Sequence, residues 1–223
     1  MDNLKLKKNH KLIIAADGSA ASGKTTGAKK ISKKYGLKFL SSGLLYRYAS
    51  YQLIKYKPKN KILHLKKSFR NLNIKKLNNI NLHTQEISKY SSIIAKEKKI
   101  RSILKIFQKK FAKKFNKVCI EGRDIGTVIL PKADIKFFFK CDLSTAAKRR
   151  FKELKKKNKK IKFQIVKKQL QIRNFRDLSR KNSPLLKSPD AVIVNTGKLR
   201  KIPDMMEKMS EIVEKKIRSK YGS

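Results

Sequence analysis

The sequence of 223 residues contains no tryptophan, two cysteines and no apolar run that approaches the length of a bilayer span. A transmembrane helix needs about 20 consecutive apolar residues, and the apolar stretch at residues 12–16 is too short even for a signal peptide. Cys119 and Cys141 cannot form a disulfide framework or, alone, a structural zinc site, and their apolar neighbours are typical of buried strands. The sequence therefore predicts a cytoplasmic protein with free thiols.

Acidic residues are also scarce, since 15 aspartates and glutamates face 60 lysines and arginines, giving a formal net charge of +45. Such a charge is compatible with a nucleic-acid-binding protein. However, the excess is nearly all lysine, is scattered along the chain and accompanies many isoleucines and asparagines, as a biased nucleotide composition would produce. We therefore expect no specific nucleic-acid partner, although the positive field should attract anionic nucleotides.

The first quarter of the chain has the pattern of a parallel α/β unit. A buried strand is predicted at residues 11–17, a helix at 23–35, a short strand at 38–40 and a second helix at about 44–57. Gly36 follows the first helix, at a position where helices commonly end. Strand, loop, helix and strand in this order favour a parallel sheet.

A helical segment interrupts the sheet pattern. Between residues 58 and 115 no convincing strand is evident, and the Asn-rich stretch at 62–81 gives no assignment. Large apolar residues recur at helical spacing near the end of the segment. They are Ile100, Ile103, Leu104, Phe107, Phe111 and Phe115.

The sheet pattern then resumes. Ser144 is predicted to cap a helix that begins at Thr145. Strands are predicted at 118–121, 135–141 and 191–195, and further helices at 163–181 and 202–221.

A phosphate-binding loop follows the first strand. Its two glycines, lysine and threonine have the spacing G-x-x-x-x-G-K-[ST], between an apolar strand and a helix. Gly18 and Gly23 permit backbone conformations closed to other residues, so that loop amides and the helix N-terminus can point at phosphate oxygens. Lys24 is expected to reach the β- and γ-phosphates of ATP, and Thr25 to bind Mg²⁺. The predicted ATP-binding residues are Gly18, Ser19, Ala20, Ala21, Ser22, Gly23, Lys24, Thr25 and Thr26.

Three further segments supply groups for a second substrate. Residues 41–47 follow the second strand, residues 121–127 follow the third, and residues 173–180 lie on the helix after a lysine-rich run. The first two lie at the carboxyl ends of strands, where ligands bind in open α/β folds. Arginines in these segments can hold phosphate, and their Asp and Ser side chains can hydrogen-bond a sugar or a base.

Taken together, the segments resemble the bacterial cytidylate kinase family from about residue 11 to the last predicted helix. The phosphate loop alone is common to many kinases, whereas the Ser-Gly and Gly-Arg-Asp motifs are much more specific. The shared motifs beyond the loop are Ser-Gly-Leu-Leu-Tyr-Arg at 42–47, Gly-Arg-Asp-Ile-Gly-Thr at 122–127, Arg-Asn-Phe-Arg-Asp-Leu-Ser-Arg at 173–180, Pro-Leu at 184–185 and Asp-Ala at 190–191.

This resemblance implies a fold as well as an activity. The fold would be a P-loop kinase of the α/β class, with three α/β/α layers, a central parallel sheet, a helical insertion that binds the nucleoside monophosphate, and a small lid. The lysine-rich run at 155–162 would be the solvated tip of the lid. Because such kinases need room to close, we expect a monomer. The implied divisions are core 1–57, insertion 58–115, core 116–150, lid 151–172 and core 173–223.

The resemblance also implies a role for each matching residue. Ser92 and Arg101 would recognise the cytosine, Asp124 would lie near the base, and Asp177 would hydrogen-bond the sugar hydroxyls. The residues expected to bind CMP are Ser42, Tyr46, Arg47, Ser92, Arg101, Arg123, Asp124, Arg173, Asp177 and Arg180. Those expected to act on the phosphates during catalysis are Lys24, Arg123, Arg173 and Arg180.

The chain departs from the family pattern at a few positions. Ser41 and Asn174 stand where the family often has Asp, His83 stands where an Arg often precedes the Thr, and Ala20-Ala21 replaces common Pro and Gly residues. None of these changes removes a residue to which a key role is assigned.

Two further assignments stay open at this point. Arg149 and Arg150 are either lid arginines or solvated charges on a basic helix. Glu121 either orients Mg²⁺ through water or merely flanks the Arg123 site. Tyr46, by contrast, is expected to pack in the acceptor pocket rather than to react.

The sequence thus predicts an ATP-dependent kinase that converts CMP or dCMP to the diphosphate. The acceptor is already an anionic phosphate oxygen, so catalysis needs positioning and charge stabilisation rather than a strong general base. One alternative is another small P-loop kinase, of the UMP/CMP, adenylate or shikimate type. The other is a basic nucleic-acid-binding protein that also binds ATP.

Overall fold

The computed structural model describes residues 6–7, 9–156, 159–199 and 201–222. Lys157 and Asn158, from the lysine-rich run, lie outside these ranges. Five parallel strands form one sheet in the order β2–β3–β1–β4–β5. The strands are β1 (Leu12–Gly18), β2 (Lys38–Ser41), β3 (Lys117–Gly122), β4 (Ile135–Lys140) and β5 (Val192–Asn195).

The helices agree closely with the predicted positions, except in the insertion, where the Asn-rich stretch carried no assignment. Within the described residues they are α1 (Lys24–Lys34), α2 (Ser42–Tyr56), α3 (Lys61–Arg70), α4 (Gln85–Ile94), α5 (Lys98–Lys114), α6 (Leu143–Lys155), α7 (Phe163–Ser179) and α8 (Ile202–Tyr221).

Helices cover both faces of the sheet. On β1, Leu12, Ile14 and Ala16 pack with α1 and α8, whereas Ala15 joins a second cluster with α2 and α5. Alternate residues of a strand point to opposite faces, so a strand covered on both faces is apolar at nearly every position. The predicted α/β class, with three layers around a central parallel sheet, is confirmed.

The insertion contains no strand between residues 58 and 115, as predicted. The stretch that gave no assignment contains α3 and a 3₁₀ turn at Ile74–Asn79. Asn60 caps α3 by accepting a hydrogen bond from the Leu63 amide (3.0 Å). Leu65 and Phe69 are the buried positions of this helix, so its apolar stripe is too short to stand out in the sequence.

One predicted helix start was wrong. The cap of α6 is Asp142 rather than Ser144, and the helix begins at Leu143. Asp142 Oδ1 accepts a hydrogen bond from the Thr145 amide (2.7 Å). A carboxylate at this position both satisfies an amide and complements the positive end of the helix dipole. Among the described residues, no helix is both long and apolar enough to cross a membrane.

Candidate active site

The phosphate-binding loop lies between the carboxyl end of β1 and the start of α1. Gly18 has a φ of +154°, and a Cβ there would lie 2.4 Å from the carbonyl oxygen of Phe139. Gly23 has a φ of +80°. Both positions therefore require glycine, because other residues would be strained or would clash with β4. The chain here has the glycine-dependent geometry that a phosphate cradle needs.

Lys24 is buried at the first residue of α1. Its Nζ donates to the Ser19 carbonyl oxygen (3.2 Å) and lies 3.8 Å from Glu121 Oε2. Burial and, to a smaller extent, the charge of Arg123 together lower the pKa of Lys24 to about 7, while Glu121 opposes the shift. The ammonium is thus poorly compensated by protein groups, and an anion beside it would restore its usual charge.

The loop opens into a cavity of about 790 Å³, within the size range of nucleotide-binding pockets. Its polar lining is strongly cationic. Besides Glu121 and Glu153, the charged residues that line it are Lys24, Lys29, Lys75, Arg47, Arg123, Arg149, Arg150 and Arg173. Ala20, Ala21, Ser22, Gly23, Thr25 and Thr26 also line it.

A second cavity, of about 40 Å³, adjoins the first. It has room for little more than one water molecule, and is far smaller than a nucleotide site. Most of the residues predicted to bind the acceptor lie here. They are Ser42, Tyr46, Ser92, Arg101, Arg123, Asp124, Arg173, Asp177 and Arg180.

The charges around this small cavity pair with one another. Arg101 forms an ion pair with Asp124, and both side chains are buried. Arg123 Nε donates to Asp177 Oδ2 (2.7 Å), and Arg180 Nη1 lies 3.6 Å from Asp177 Oδ1. Burial opposes ionisation of Asp177, but Arg123 and Arg173 hold its pKa below its usual value. Asp124 and Asp177 are therefore both paired in this structure, although the four arginines that line the cavity outnumber the two aspartates.

Some donors in this cavity remain available. Arg180 Nη2 is buried without a hydrogen-bond partner among the described residues. Burial raises the pKa of Tyr46 to about 12, so that its hydroxyl is neutral. Arg101 stacks over the ring of Tyr46, with 5.7 Å between the guanidinium carbon and the ring centroid. These groups fit a polar, planar and anionic ligand.

Arg47 occupies a different place from the other acceptor residues. Its guanidinium lines the larger cavity and donates to the Leu82 carbonyl oxygen (3.1 Å) and to the Ser88 hydroxyl. Both partners lie at the start of the α4 region, so Arg47 joins α2 to the insertion. Burial lowers its pKa to about 10, and the charge of Arg150 adds to this effect.

Asp17 connects the two half-sites, although the sequence suggested no role for it. Its Oδ1 and Oδ2 accept hydrogen bonds from the amides of Ile125 (2.8 Å) and Gly126 (2.7 Å). Burial raises the pKa of Asp17 to about 6, against the lowering effect of these two bonds. The residue that precedes the phosphate loop thus holds the loop that carries Arg123 and Asp124.

The structure also places Arg149 and Arg150, whose roles were open. Arg149 donates to the hydroxyl (2.9 Å) and to the carbonyl oxygen (2.7 Å) of Thr196, and Thr196 donates to the Ser22 carbonyl oxygen (2.9 Å). Arg150 pairs with Glu153 on the same helix (2.7 Å). Both arginines face the larger cavity rather than solvent alone.

Gly18 and Ser19 are not among the residues that line either cavity. Two other polar contacts escaped the sequence analysis. Arg176 Nη1 donates to Ser92 Oγ (3.0 Å), which joins α7 to α4, and the Ala20 amide donates to Asn174 Oδ1 (3.2 Å). Both partners on α7, Arg176 and Asn174, lie within the 173–180 motif. Their place in this motif was the only feature of the sequence that pointed to them.

Oxygen donors for a magnesium ion are present but few. Thr25 and Glu121 line the larger cavity beside Lys24. Within the described ranges, no group of three or more His, Cys, Asp or Glu side chains could hold a metal by itself. This set fits Mg²⁺, which in nucleotide sites takes one or two protein oxygens together with phosphates and water.

The fold and the two adjoining cavities define a nucleotide-binding protein of the P-loop kinase class. The family model for cytidylate kinase matches residues 14–215. The chain is 38% identical over 192 residues to the cytidylate kinase of Bartonella tribocorum, covering 84% of this chain and 87% of that protein. It is 36% identical over 213 residues to the cytidylate kinase of Thermosipho melanesiensis, covering 91% and 97%. The chain therefore belongs to the cytidylate kinase family.

A solved structure supports the fold at much lower sequence similarity. An uncharacterized protein from Eubacterium ventriosum aligns with a TM-score of 0.54 at 17% identity, over 91% of this chain and 98% of that one. At this identity the likeness concerns the fold alone.

Proposed function

We propose that the protein transfers the γ-phosphoryl group of ATP to CMP or dCMP, giving ADP and CDP or dCDP. Family membership supports ATP as the donor and a cytidine monophosphate as the acceptor. The observation that carries the proposal is that Arg123 and Arg173 line both cavities. A group that moves from one cavity to the other would remain in contact with the same two arginines.

The chemistry follows from the charges. The acceptor oxygen is already anionic, so the protein must align two phosphates and offset their repulsion. Lys24 would hold the donor phosphates, and Arg123 and Arg173 the transferring group. Because Arg173 is buried and beside the like charge of Arg123, its pKa falls to about 9. Such a site stabilises negative charge without prior reorganisation.

Thr25 and Glu121 are the residues that would hold Mg²⁺, Glu121 through water. The ion would supply charge neutralisation and alignment of the phosphates. Ser41 donates a hydrogen bond to Glu121 and thereby orients the carboxylate. The Ser at position 41 thus has a defined contact at the end of β2.

In the acceptor site, Arg101, Asp124 and Ser92 would read the cytosine, and Asp177 the sugar. Each of these groups now forms a hydrogen bond or ion pair with another protein group. A bound nucleotide would therefore replace these protein partners. A site of buried polar groups discriminates strongly, because a mismatched base leaves them unpaired.

We also propose that the chain acts as a cytoplasmic monomer without a specific nucleic-acid partner. The free thiols of Cys119 and Cys141 are compatible with a reducing compartment. The insertion at 58–115 and the lid at 151–172 would move relative to the remaining core as the substrates bind.

A panel of acceptors tests the proposed function. ADP release from ATP would be followed with CMP, dCMP, UMP, AMP and shikimate. CMP and dCMP should be the preferred acceptors by kcat/KM, by at least about 100-fold over AMP. A preference for AMP, UMP or shikimate would assign the protein to another branch of the small kinases. Tight RNA binding that persists at physiological salt would instead indicate a nucleic-acid role.

A further inference from the structure

The tip of the phosphate loop has an unusual backbone conformation. Ala21 has a φ of +57°, in the left-handed region that residues with a Cβ rarely adopt. Such a conformation costs free energy and persists only where the surroundings enforce it. Gly18 and Gly23 account for the two ends of the loop, but not for the alanine between them. Some contact outside the loop must therefore hold the tip.

Two contacts with the lid side of the molecule meet this requirement. The methyl group of Ala20, which is 4% exposed, packs in an apolar cluster with Ala147 of α6 and with Val166 and Leu170 of α7. The amide of Ala20 donates a hydrogen bond to the side chain of Asn174 (3.2 Å). Both contacts fall on the residue immediately before the strained one.

Among the described residues, Asn174 is the one side chain that accepts a hydrogen bond from the Ala20 amide. A buried amide requires a partner, and without Asn174 the Ala20 amide would lose its bond or turn toward another acceptor. Turning that peptide would also alter Ala21, and with it the direction of the loop amides that follow. Asn174 adjoins Arg173, which lines both cavities, so the same bond joins the loop to the helix that carries Arg173.

We propose that Asn174 is a positioning residue of the donor site, which sets the conformation of the phosphate loop from α7 through the Ala20 amide. The side-chain oxygen of Asn174 accepts this bond, as an aspartate oxygen at the same position also could. The inference rests on the proposed ATP site, but not on the identity of the acceptor.

The test measures nucleotide binding directly, by titration calorimetry with ATP and, separately, with CMP. Asn174→Ala should weaken ATP binding about three- to tenfold, as expected for the loss of one hydrogen bond. CMP binding should change by less than about twofold. Gln171→Ala is the matched control, because Gln171 is an exposed amide on the same helix. It should leave both dissociation constants unchanged.

A second variant separates positioning from general loosening of the lid. Asn174→Asp keeps an acceptor oxygen in the same place, so most of the loss in ATP affinity should be recovered at about 0.3 M salt, where the added charge is screened. Thermal unfolding of each variant would be recorded in parallel. A merely structural role would lower stability and weaken both nucleotides alike.

ATP affinity unchanged in Asn174→Ala would overturn the inference, as would equal weakening of ATP and CMP. So would an Asn174→Asp variant that binds ATP no better than Asn174→Ala in high salt. These readouts do not depend on turnover. If CMP is not phosphorylated, the proposed function fails, while the ATP titrations still decide the role of Asn174.

Discussion

The donor and acceptor halves of the site are built in opposite ways. The donor half combines the phosphate loop with basic side chains of the surrounding helices, and its cavity of about 790 Å³ is open. The acceptor half consists of side chains from α2, α4, α5, α7 and the loop after β3, and its cavity of about 40 Å³ is nearly closed. The phosphate loop at the centre of the donor half is local in sequence, whereas every part of the acceptor half comes from distant segments.

The two halves also differ in charge balance. In the acceptor half, Arg101 pairs with Asp124, and Arg123 with Asp177. In the donor half, Lys24 donates to the Ser19 carbonyl oxygen, its carboxylate contact with Glu121 is 3.8 Å long, and its pKa is lowered to about 7. An anion bound in the donor half therefore gains from uncompensated charge. A ligand in the acceptor half must exchange one set of bonds for another, which yields less affinity but more selectivity.

The largest expected effect comes from the donor half. Lys24→Ala should lower kcat at least about 100-fold, because it removes a buried cation from the developing charge. The fold should survive, since burial already disfavours the charged form of Lys24. Steady-state ADP release and thermal unfolding would measure the two effects. Lys30→Ala, at an exposed position of the same helix, is the control. Near-wild-type turnover in Lys24→Ala would remove the donor half from the mechanism.

The next largest effect should be confined to the acceptor half. Arg101→Ala leaves Asp124 buried without its ion-pair partner, so the KM for CMP should rise about 10- to 100-fold. The KM for ATP should stay within about twofold of its original value. Lys98→Ala, exposed on the same helix, should change neither constant. Equal increases in both KM values would mean that the halves are not independent.

A kinetic experiment tests whether the acceptor half must open. A hydrogen bond joins Arg176 on α7 to Ser92 on α4, and Ser92 lines a cavity that is too small for CMP. Removing that hydrogen bond should lower the barrier to opening, so Arg176→Ala should raise the association rate of CMP about two- to tenfold. Stopped-flow tyrosine fluorescence would follow CMP binding, with ATP as the comparison ligand.

In the wild type, the observed rate for CMP should saturate at high concentration, as for binding limited by a conformational step. The rate for ATP should rise linearly. If Arg176→Ala instead accelerates CMP dissociation alone, Arg176 positions Ser92 for the base and does not latch the pocket.

The same contrast explains how far the sequence could lead. The position of the phosphate loop between a strand and a helix was predicted correctly, because its residues lie within a short segment whose pattern dictates the local geometry. The strands, the parallel sheet and most helices followed from apolar periodicity, while α3 was lost because it buries only Leu65 and Phe69. The acceptor residues were predicted by family resemblance, and nothing in their spacing alone would have assembled them.

The missed contacts share one physical feature. The bond between Asn174 and Ala20 joins residues 154 positions apart, and that between Arg176 and Ser92 joins residues 84 positions apart. Neither residue type nor local pattern indicates such a partner, because the contact exists only after α7 packs beside the loop and the insertion. Asp17 shows the same limit, since its amide partner at Ile125 lies 108 positions away.

The last expected effect is on stability rather than on turnover or binding, and it concerns Asp17, where the two halves meet. Burial raises its pKa from 3.8 to about 6 in the folded protein, so the folded state binds a proton that the unfolded chain releases between these values. The stabilising contribution of this group is therefore complete below about pH 4 and is lost as the pH rises through about 6. Asparagine cannot titrate. The free energy of unfolding of the wild type, minus that of Asp17→Asn, should thus fall by up to about 1.4 kcal/mol per pH unit across this window.

Urea unfolding of both proteins at several pH values from about 4 to 7 would measure this difference. At neutral pH, the difference in unfolding free energy between the two proteins also includes the loss of a hydrogen bond. The side chain of the Asp17→Asn variant would offer one acceptor oxygen where the carboxylate offers two, so one of the Ile125 and Gly126 amides would lose its partner. Parallel stability curves would show that Asp17 titrates normally and that the effect of its two hydrogen bonds on its pKa balances that of its burial. In that case Asp17 would hold the loop that carries Arg123 and Asp124 equally well at every pH. The contact between the donor and acceptor halves would then not depend on the protonation of Asp17.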